Sequence, residues 1–114
     1  MNIKKLFSIT TIGLLLAIPS VSLGQGKVLI TAPLEGATLD AMAENKLVYD
    51  VDPGPKGDHI HVYIDDREAG ILRKLKGSYL LESPPAGKHT LCIKVVNKAH
   101  VPVGVEQCVH VTVK

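Results

Sequence analysis

The sequence predicts an all-β domain, an immunoglobulin-like or fibronectin-like antiparallel sandwich of about seven strands. Three observations indicate this class. Val and Ile are frequent, apolar and polar residues alternate with a period of two in short runs, and Gly, Pro, Asn or Asp separates those runs. Turn signals that recur roughly every 8–12 residues are typical of such sandwiches. A small closed barrel is the alternative arrangement of the same strands.

Seven runs are predicted as strands. They are Lys27–Ala32, Lys46–Val51, His59–Ile64, Ile71–Leu75, Ser78–Glu82, His89–Val96 and Glu106–Val113. The second run is ended by Asp52-Pro53-Gly54-Pro55, because proline cannot donate a hydrogen bond to a sheet ladder. The last two runs form a hairpin around the loop Asn97–Val105. The stretch Thr38–Glu44 could form one helical turn, which is too short to change the class.

The third, sixth and seventh strands share a sheet in this sandwich, with the sixth in the middle. Since side chains alternate between the two faces of a strand, each face takes a definite set of residues. The set that points into the core is Ile60, Val62, Ile64, Leu91, Ile93, Val95, Val109, Val111 and Val113. The set that points outward is His59, His61, Tyr63, Cys92, Lys94, Cys108 and His110.

Residues 1–24 have the pattern of a cleaved secretory signal peptide. Lys4-Lys5 precedes the apolar run Leu6–Ile18, and Ser22 and Gly24 are the small residues that signal peptidase requires. The pattern predicts a mature domain of residues 25–114 in the periplasm or the medium, with no later run long enough to span a membrane. A retained amino-terminal anchor is the alternative.

Charge and cysteine content narrow the classes further. Removal of the two lysines at positions 4 and 5 reduces the 13 basic residues to 11, against 11 acidic ones. A nearly neutral domain without a basic stripe is not expected to bind nucleic acid. Cys92 and Cys108 are the two cysteines, and in an oxidising compartment they predict one intramolecular disulfide between adjacent strands. We expect the domain to be a monomer.

Five histidines fall between positions 59 and 110, and three of them suggest a metal site. His59 and His61 project from one face of a strand, about 6.6 Å apart along the chain. His100, in the loop of the last hairpin, is expected at the same end of the sandwich. The three would form a nitrogen site suited to copper or zinc, with Asp58 as an oxygen ligand or a supporting partner. Solvated polar residues on an exposed face are the alternative.

The other two histidines are predicted to lie elsewhere. His89 begins the sixth strand at the opposite end, near Asp65-Asp66, where we expect a structural hydrogen bond across the corner, with a ligand role as the alternative. His110 points outward, roughly 10 Å from His61 by strand spacing, too far to share an ion. The two aspartates are expected to form a turn and not a catalytic pair.

Three segments resemble a family of small exported bacterial immunoglobulin-like domains of unknown function. They are Gly57–Asp65, Pro85–Leu91 and Asn97–Pro102, which match the pattern G-x-H-x-H-x-x-x-D, P-x-G-x-H-x-L and a distal H-x-P. The resemblance covers residues 28–113 and supports the fold and the location. It implies that His59, His61, His89 and His100 carry the family pattern, with Asp58 where the pattern often has another histidine.

No motif in the chain specifies a reaction, since a nucleophile elbow, a P-loop, a dinucleotide fingerprint and a C-x-x-C pair are all missing from the sequence. The sequence therefore predicts an exported, non-enzymatic binding domain whose ligand is unknown, with copper or zinc held by the histidine cluster as the candidate. A structural or adhesive domain that contacts an unknown protein without metal is the alternative.

Overall fold

Eight strands build the domain in the computed structural model, which describes residues 25–114. The predicted signal peptide and its alternative, a membrane anchor, lie outside the described residues. The strands are β1 Lys27–Ala32, β2 Ala37–Leu39, β3 Asn45–Asp52, β4 His59–Ile64, β5 Arg67–Leu72, β6 Lys76–Leu81, β7 Gly87–Val96 and β8 Pro102–Val113. Within residues 25–114 there is no helix that could cross a membrane.

The strands form two sheets that face each other. One has three strands in the order β1-β3-β6, and the other has five in the order β2-β8-β7-β4-β5. All pairs are antiparallel except β2 and β8, which run parallel. This arrangement confirms the predicted immunoglobulin-like or fibronectin-like sandwich, with β7 between β8 and β4 as expected.

The core lies between the two sheets and is almost entirely aliphatic. The residues predicted to point inward from β4, β7 and β8 are buried, apart from Ile64, which is half-buried. They pack against apolar residues of the smaller sheet, namely Val28, Ile30, Leu47, Tyr49, Val51 and Leu81. The alternation along these strands therefore predicted the core correctly, because each buried residue is followed by one on the outer face.

The predicted strand Ile71–Leu75 is wrong. The chain reverses in two residues, Asp65 and Asp66, with φ angles of 51° and 67°, so that β5 starts at once with Arg67. Two consecutive left-handed residues are what a tight two-residue hairpin requires, and aspartate tolerates this conformation better than most residues. The expected turn at the two aspartates is therefore present, but the strand after it begins four residues earlier than predicted and ends three residues earlier.

The predicted helical turn over Thr38–Glu44 is also wrong. Ala37–Leu39 is extended and pairs with Val111–Val113 as a short edge strand, which raises the count from about seven strands to eight. The loop of the last hairpin is shorter than predicted, because β8 begins at Pro102 and not at Glu106.

The two cysteines form the predicted disulfide. Cys92 on β7 lies directly opposite Cys108 on β8 in the strand register, and their Cα atoms are 4.0 Å apart. The matching parity of the two residues on adjacent strands is the reason why the bond can form. The crosslink fixes β7 to β8 on the outer face of the larger sheet.

Candidate metal centre

The first half of β4 places two histidines on the outer face of the larger sheet. Gly57 precedes them and packs so closely that a Cβ atom would lie 2.4 Å from a methyl carbon of Val95. The amide of Asp58 then donates to the carbonyl of Val96, which pairs β4 with β7 from its first residue. His59 and His61 follow with the same parity, and only 1% and 3% of their surfaces are exposed. The alternative of solvated histidines is therefore wrong for these two residues.

The loop between β7 and β8 covers this face and brings the third histidine to it. Asn97 organises the loop, since its side-chain oxygen accepts hydrogen bonds from the amides of Ala99 and Val101 at 2.9 and 3.0 Å. The amide of Asn97 also donates to the carbonyl of Val101. His100 adopts a left-handed conformation with φ of 65° at the tip of this tight loop. Its ring therefore turns back toward β4 while the residue stays exposed.

The three imidazoles converge on one point. The Nε2 atoms of His59 and His61 are 3.1 Å apart, and each is 3.1 Å from Nδ1 of His100. The three nitrogens thus form an equilateral triangle. The structure brings together the three histidines that the sequence singled out, and in residues 25–114 they are the group whose ligand atoms could hold one metal ion.

Two carboxylates stand behind the buried rings. Nδ1 of His59 donates to Oδ2 of Asp58 at 2.9 Å, and Nδ1 of His61 lies 2.8 Å from Oε1 of Glu68. Asp58 contacts the far side of the His59 ring, so it supports that ring and does not join the nitrogen triangle. Pairs of a carboxylate and a histidine of this kind commonly orient metal ligands in proteins.

These contacts decide which ring nitrogens carry protons. Nδ1 of His59 donates a hydrogen bond to Asp58, so it carries the proton. A bare Nδ1 of His61 would repel the Glu68 carboxylate at 2.8 Å, so this ion contact favours a proton on Nδ1 of His61 as well. A neutral ring then has a lone pair on Nε2. His100 can offer at most one proton from Nδ1, and the contact between the two Nε2 atoms has none. Lone pairs that face one another at 3.1 Å favour a cation between them.

The surroundings of His61 favour the neutral form of its ring. Burial lowers the pKa of His61, and although the charge of Glu68 opposes this effect, proximity to His59 and His100 adds to it. The hydrogen bond from His59 lowers the pKa of Asp58, which keeps that group a carboxylate. Neutral imidazole is the form of histidine that binds metal.

The other predicted site residue, His89, lies at the far end of β7 and does not join the triangle. Its Nδ1 contacts Oδ2 of Asp65 at 2.5 Å and its Nε2 contacts the carbonyl of Pro85 at 2.6 Å. The structural hydrogen bond across the corner is therefore present. His110 lies on the exposed outer face of β8, where its Nδ1 contacts Glu35.

Sequence reasoning missed two contributors to the centre, Glu68 and Asn97. A signal for Glu68 existed in Gly70, since glycine inside a strand often marks a bulge or a close approach. A Cβ atom at Gly70 would lie 2.7 Å from the ring of Tyr79, and β5 is indeed bulged beside it. Asn97 had only a weak signal, because asparagine is common in loops of every kind.

The strands define a fibronectin type III-like sandwich, and one sheet face carries three histidines whose ring nitrogens could hold one metal ion. No family model matches the chain, and no curated protein matches it. Among solved structures, the chain is similar to the fibronectin(III)-like modules of Clostridium thermocellum CbhA, with 17% identity and a TM-score of 0.62. That alignment covers 76% of this chain and 95% of the module.

Two further structures share the fold over a small part of their own length. An engineered protein matches at 17% identity with a TM-score of 0.55, covering 79% of this chain and 20% of that one. An extracellular domain from B. thetaiotaomicron matches at 10% identity with a TM-score of 0.51, covering 77% and 15%. At these identities the similarity defines the fold alone.

Proposed function

We propose that the protein binds one transition-metal ion, zinc or copper, through His59, His61 and His100. The observation that supports this most directly is the triangle of three ring nitrogens, each 3.1 Å from the other two. Two of these nitrogens belong to the buried rings of His59 and His61. Hydrogen bonds within the cluster cannot satisfy all three contacts. A single cation could instead bind the lone pair of each of the three nitrogens.

The triangle has the right size for such an ion. Its centre lies about 1.8 Å from each nitrogen, whereas zinc bonds imidazole at about 2.0–2.1 Å. The three nitrogens are therefore close enough together for His59, His61 and His100 to bind the same ion. Three ligands on one side leave another position for water or an outside ligand. Imidazole nitrogens suit both zinc and copper.

Metal titration of protein without an affinity tag tests this proposal. We expect one equivalent of Zn²⁺ or Cu²⁺ per chain by calorimetry and by elemental analysis after dialysis. His100→Ala removes an exposed ligand and should leave the fold intact, but should lower the affinity by at least about tenfold. His110→Ala is the matched control, since it removes a histidine of the same outer face without touching the triangle. Wild-type protein that retains neither metal would refute the proposal.

A protein-interaction role without metal is the second candidate. Leu34 and Met42, in the loops on either side of β2, expose 72% and 92% of their surfaces, and exposed apolar side chains of this size are candidates for contact with a partner. This role predicts that an interaction survives chelation and is weakened by Leu34→Ser or Met42→Ser. A role that depends on the metal site predicts instead that the chelator abolishes the interaction.

We further propose that the domain acts outside the cytoplasm and carries out no reaction of its own. The disulfide between Cys92 and Cys108 and the fibronectin-like fold support an extracellular setting. The resemblance to small exported bacterial domains is consistent with it. Amino-terminal sequencing of the exported protein should find Gln25 as the first residue, and an uncut chain would contradict cleavage.

A further inference from the structure

We propose that Glu68 is a positioning residue of the metal centre, one that holds the His61 imidazole in its metal-binding tautomer and favours divalent over monovalent ions. This inference rests on the proposed metal binding but goes beyond it, because it assigns a role to a residue outside the ligand set.

A bulge in β5 is what brings Glu68 to the histidine face. Ile71 lies opposite His61, and Gly70 lies opposite Val62. Regular pairing would therefore place Ala69 opposite Tyr63 and would turn Glu68 toward the core. The pairing instead continues as Tyr63↔Glu68, so Ala69 is the extra residue. An extra residue reverses the facing of everything beyond it, and bulges beside functional sites often redirect a side chain in this way.

The contact that results is specific to one nitrogen. Oε1 of Glu68 lies 2.8 Å from Nδ1 of His61, on the side of the ring away from the triangle. Only 4% of the His61 side chain is exposed, so water has little access to this ring. With the proton held on Nδ1, the Nε2 lone pair is left for the ion. The charge of the carboxylate at this distance therefore favours the Nδ1–H tautomer of His61.

The charge of Glu68 acts on the bound ion as well. Coulomb attraction scales with the charge of the ion, so one carboxylate at a given distance stabilises a divalent ion twice as much as a monovalent one. Asp58 exerts a similar attraction through His59, but Arg73 lies 3.7 Å from its carboxylate and offsets part of its charge. Loss of the Glu68 charge should thus shift the preference of the centre away from Zn²⁺.

Two variants separate the two effects proposed for Glu68, which are the positioning of the His61 ring and the attraction of its charge for the ion. Glu68→Gln keeps an oxygen that can lie beside the Nδ1–H group of His61 but removes the charge, whereas Glu68→Ala removes both. Glu82→Gln, which changes an exposed glutamate beyond the end of β6, is the matched control. Circular dichroism and the state of the Cys92–Cys108 bond establish that each variant is folded.

The first measurement is the affinity for Zn²⁺ and, without oxygen, for Cu⁺. We expect Glu68→Gln to weaken Zn²⁺ binding about tenfold and Cu⁺ binding only about threefold, since the monovalent ion loses half the Coulomb free energy. Glu68→Ala should weaken both further. If the wild-type protein binds zinc and both variants bind it equally well, the role of Glu68 is refuted while metal binding stands.

The second measurement needs no metal. Nitrogen-15 NMR of the metal-free protein reports which nitrogen of His61 carries the proton. We expect the Nδ1–H form in the wild type and in Glu68→Gln, and a mixture of tautomers in Glu68→Ala. An unchanged Nδ1–H form in Glu68→Ala would overturn the proposal even if the wild type binds no metal, so the two failures can be told apart.

Discussion

The two ends of β4 and β7 use histidine in opposite ways. At the end where β4 begins, His59 and His61 each direct one ring nitrogen at a carboxylate and the other at a nitrogen of another histidine. At the end where β4 stops, His89 directs both nitrogens at oxygens, one of Asp65 and one of Pro85. The first arrangement suits neutral rings with free lone pairs, and the second requires both ring nitrogens to donate.

The difference shows that the partners of a histidine define its chemistry better than its presence in a strand does. Both oxygens that face His89 are acceptors, which favours the doubly protonated ring. The hydrogen bond to Asp65 raises the pKa of His89, helped by the bond to the carbonyl of Pro85. Burial lowers the pKa of His61 instead. One end of the sheet therefore favours a charged histidine, and the other has ring nitrogens whose lone pairs could bind a cation.

The largest expected effect comes from removing a buried member of the triangle. His61→Ala takes away one of three ligands and should weaken Zn²⁺ binding by about 100-fold or more, beyond what the loss of a supporting residue costs. Calorimetric titration measures it. His89→Ala is the control from the other end and should leave the affinity unchanged. An equal loss in both variants would mean that the two ends are not chemically distinct.

A smaller effect is expected from the loop that holds His100. Asn97→Ala removes the acceptor of two backbone hydrogen bonds, so the loop should sample more conformations and pay an ordering cost when the ion binds. We expect Zn²⁺ affinity to fall about tenfold, comparable to the loss of an outer-shell partner. Asn97→Asp keeps the acceptor and should retain most of the affinity. Equal affinities for Asn97→Ala and the wild type would show that His100 is positioned without this residue.

The sequence was sufficient to predict the fold and the three histidines that converge, but not the residues that support them. Strand alternation placed His59 and His61 on one face, and the hairpin topology placed His100 at the same end. The position of the Glu68 carboxylate depends on a one-residue bulge between Glu68 and Gly70. The alternation of apolar and polar residues alone does not reveal this bulge. Burial of the two histidines was also unpredictable, because it depends on how a short loop folds over the sheet.

At the other end, loss of His89 should affect stability and not metal binding. His89→Ala breaks the contacts to Asp65 and to the carbonyl of Pro85, which join the β4–β5 turn to the start of β7. Because Asp65 is exposed to solvent, we expect the free energy of unfolding to fall by only about 1 kcal/mol. Urea denaturation in the presence of a chelator measures it. His110→Ala, which breaks the exposed contact with Glu35, should cost less.

The smallest effect is the pH dependence of that stabilisation, and its sign separates the two ends. The pKa of His89 is raised above its ordinary value of 6.5. Its contribution to the free energy of unfolding is therefore complete below pH 6.5 and disappears as the pH rises through the raised pKa. Desolvation raises the pKa of Asp65, but the hydrogen bonds from His89 and Thr90 outweigh it, so the pKa is lowered below 3.8. The contribution of Asp65 to the free energy of unfolding is therefore complete above pH 3.8 and disappears as the pH falls through the lowered pKa. The difference in unfolding free energy between the wild type and His89→Ala should therefore be largest between pH 3.8 and 6.5 and should shrink as the pH rises through the raised pKa of His89. A difference that grows with pH would mean that His89 is neutral in the folded protein, and the contrast between the two ends would fail.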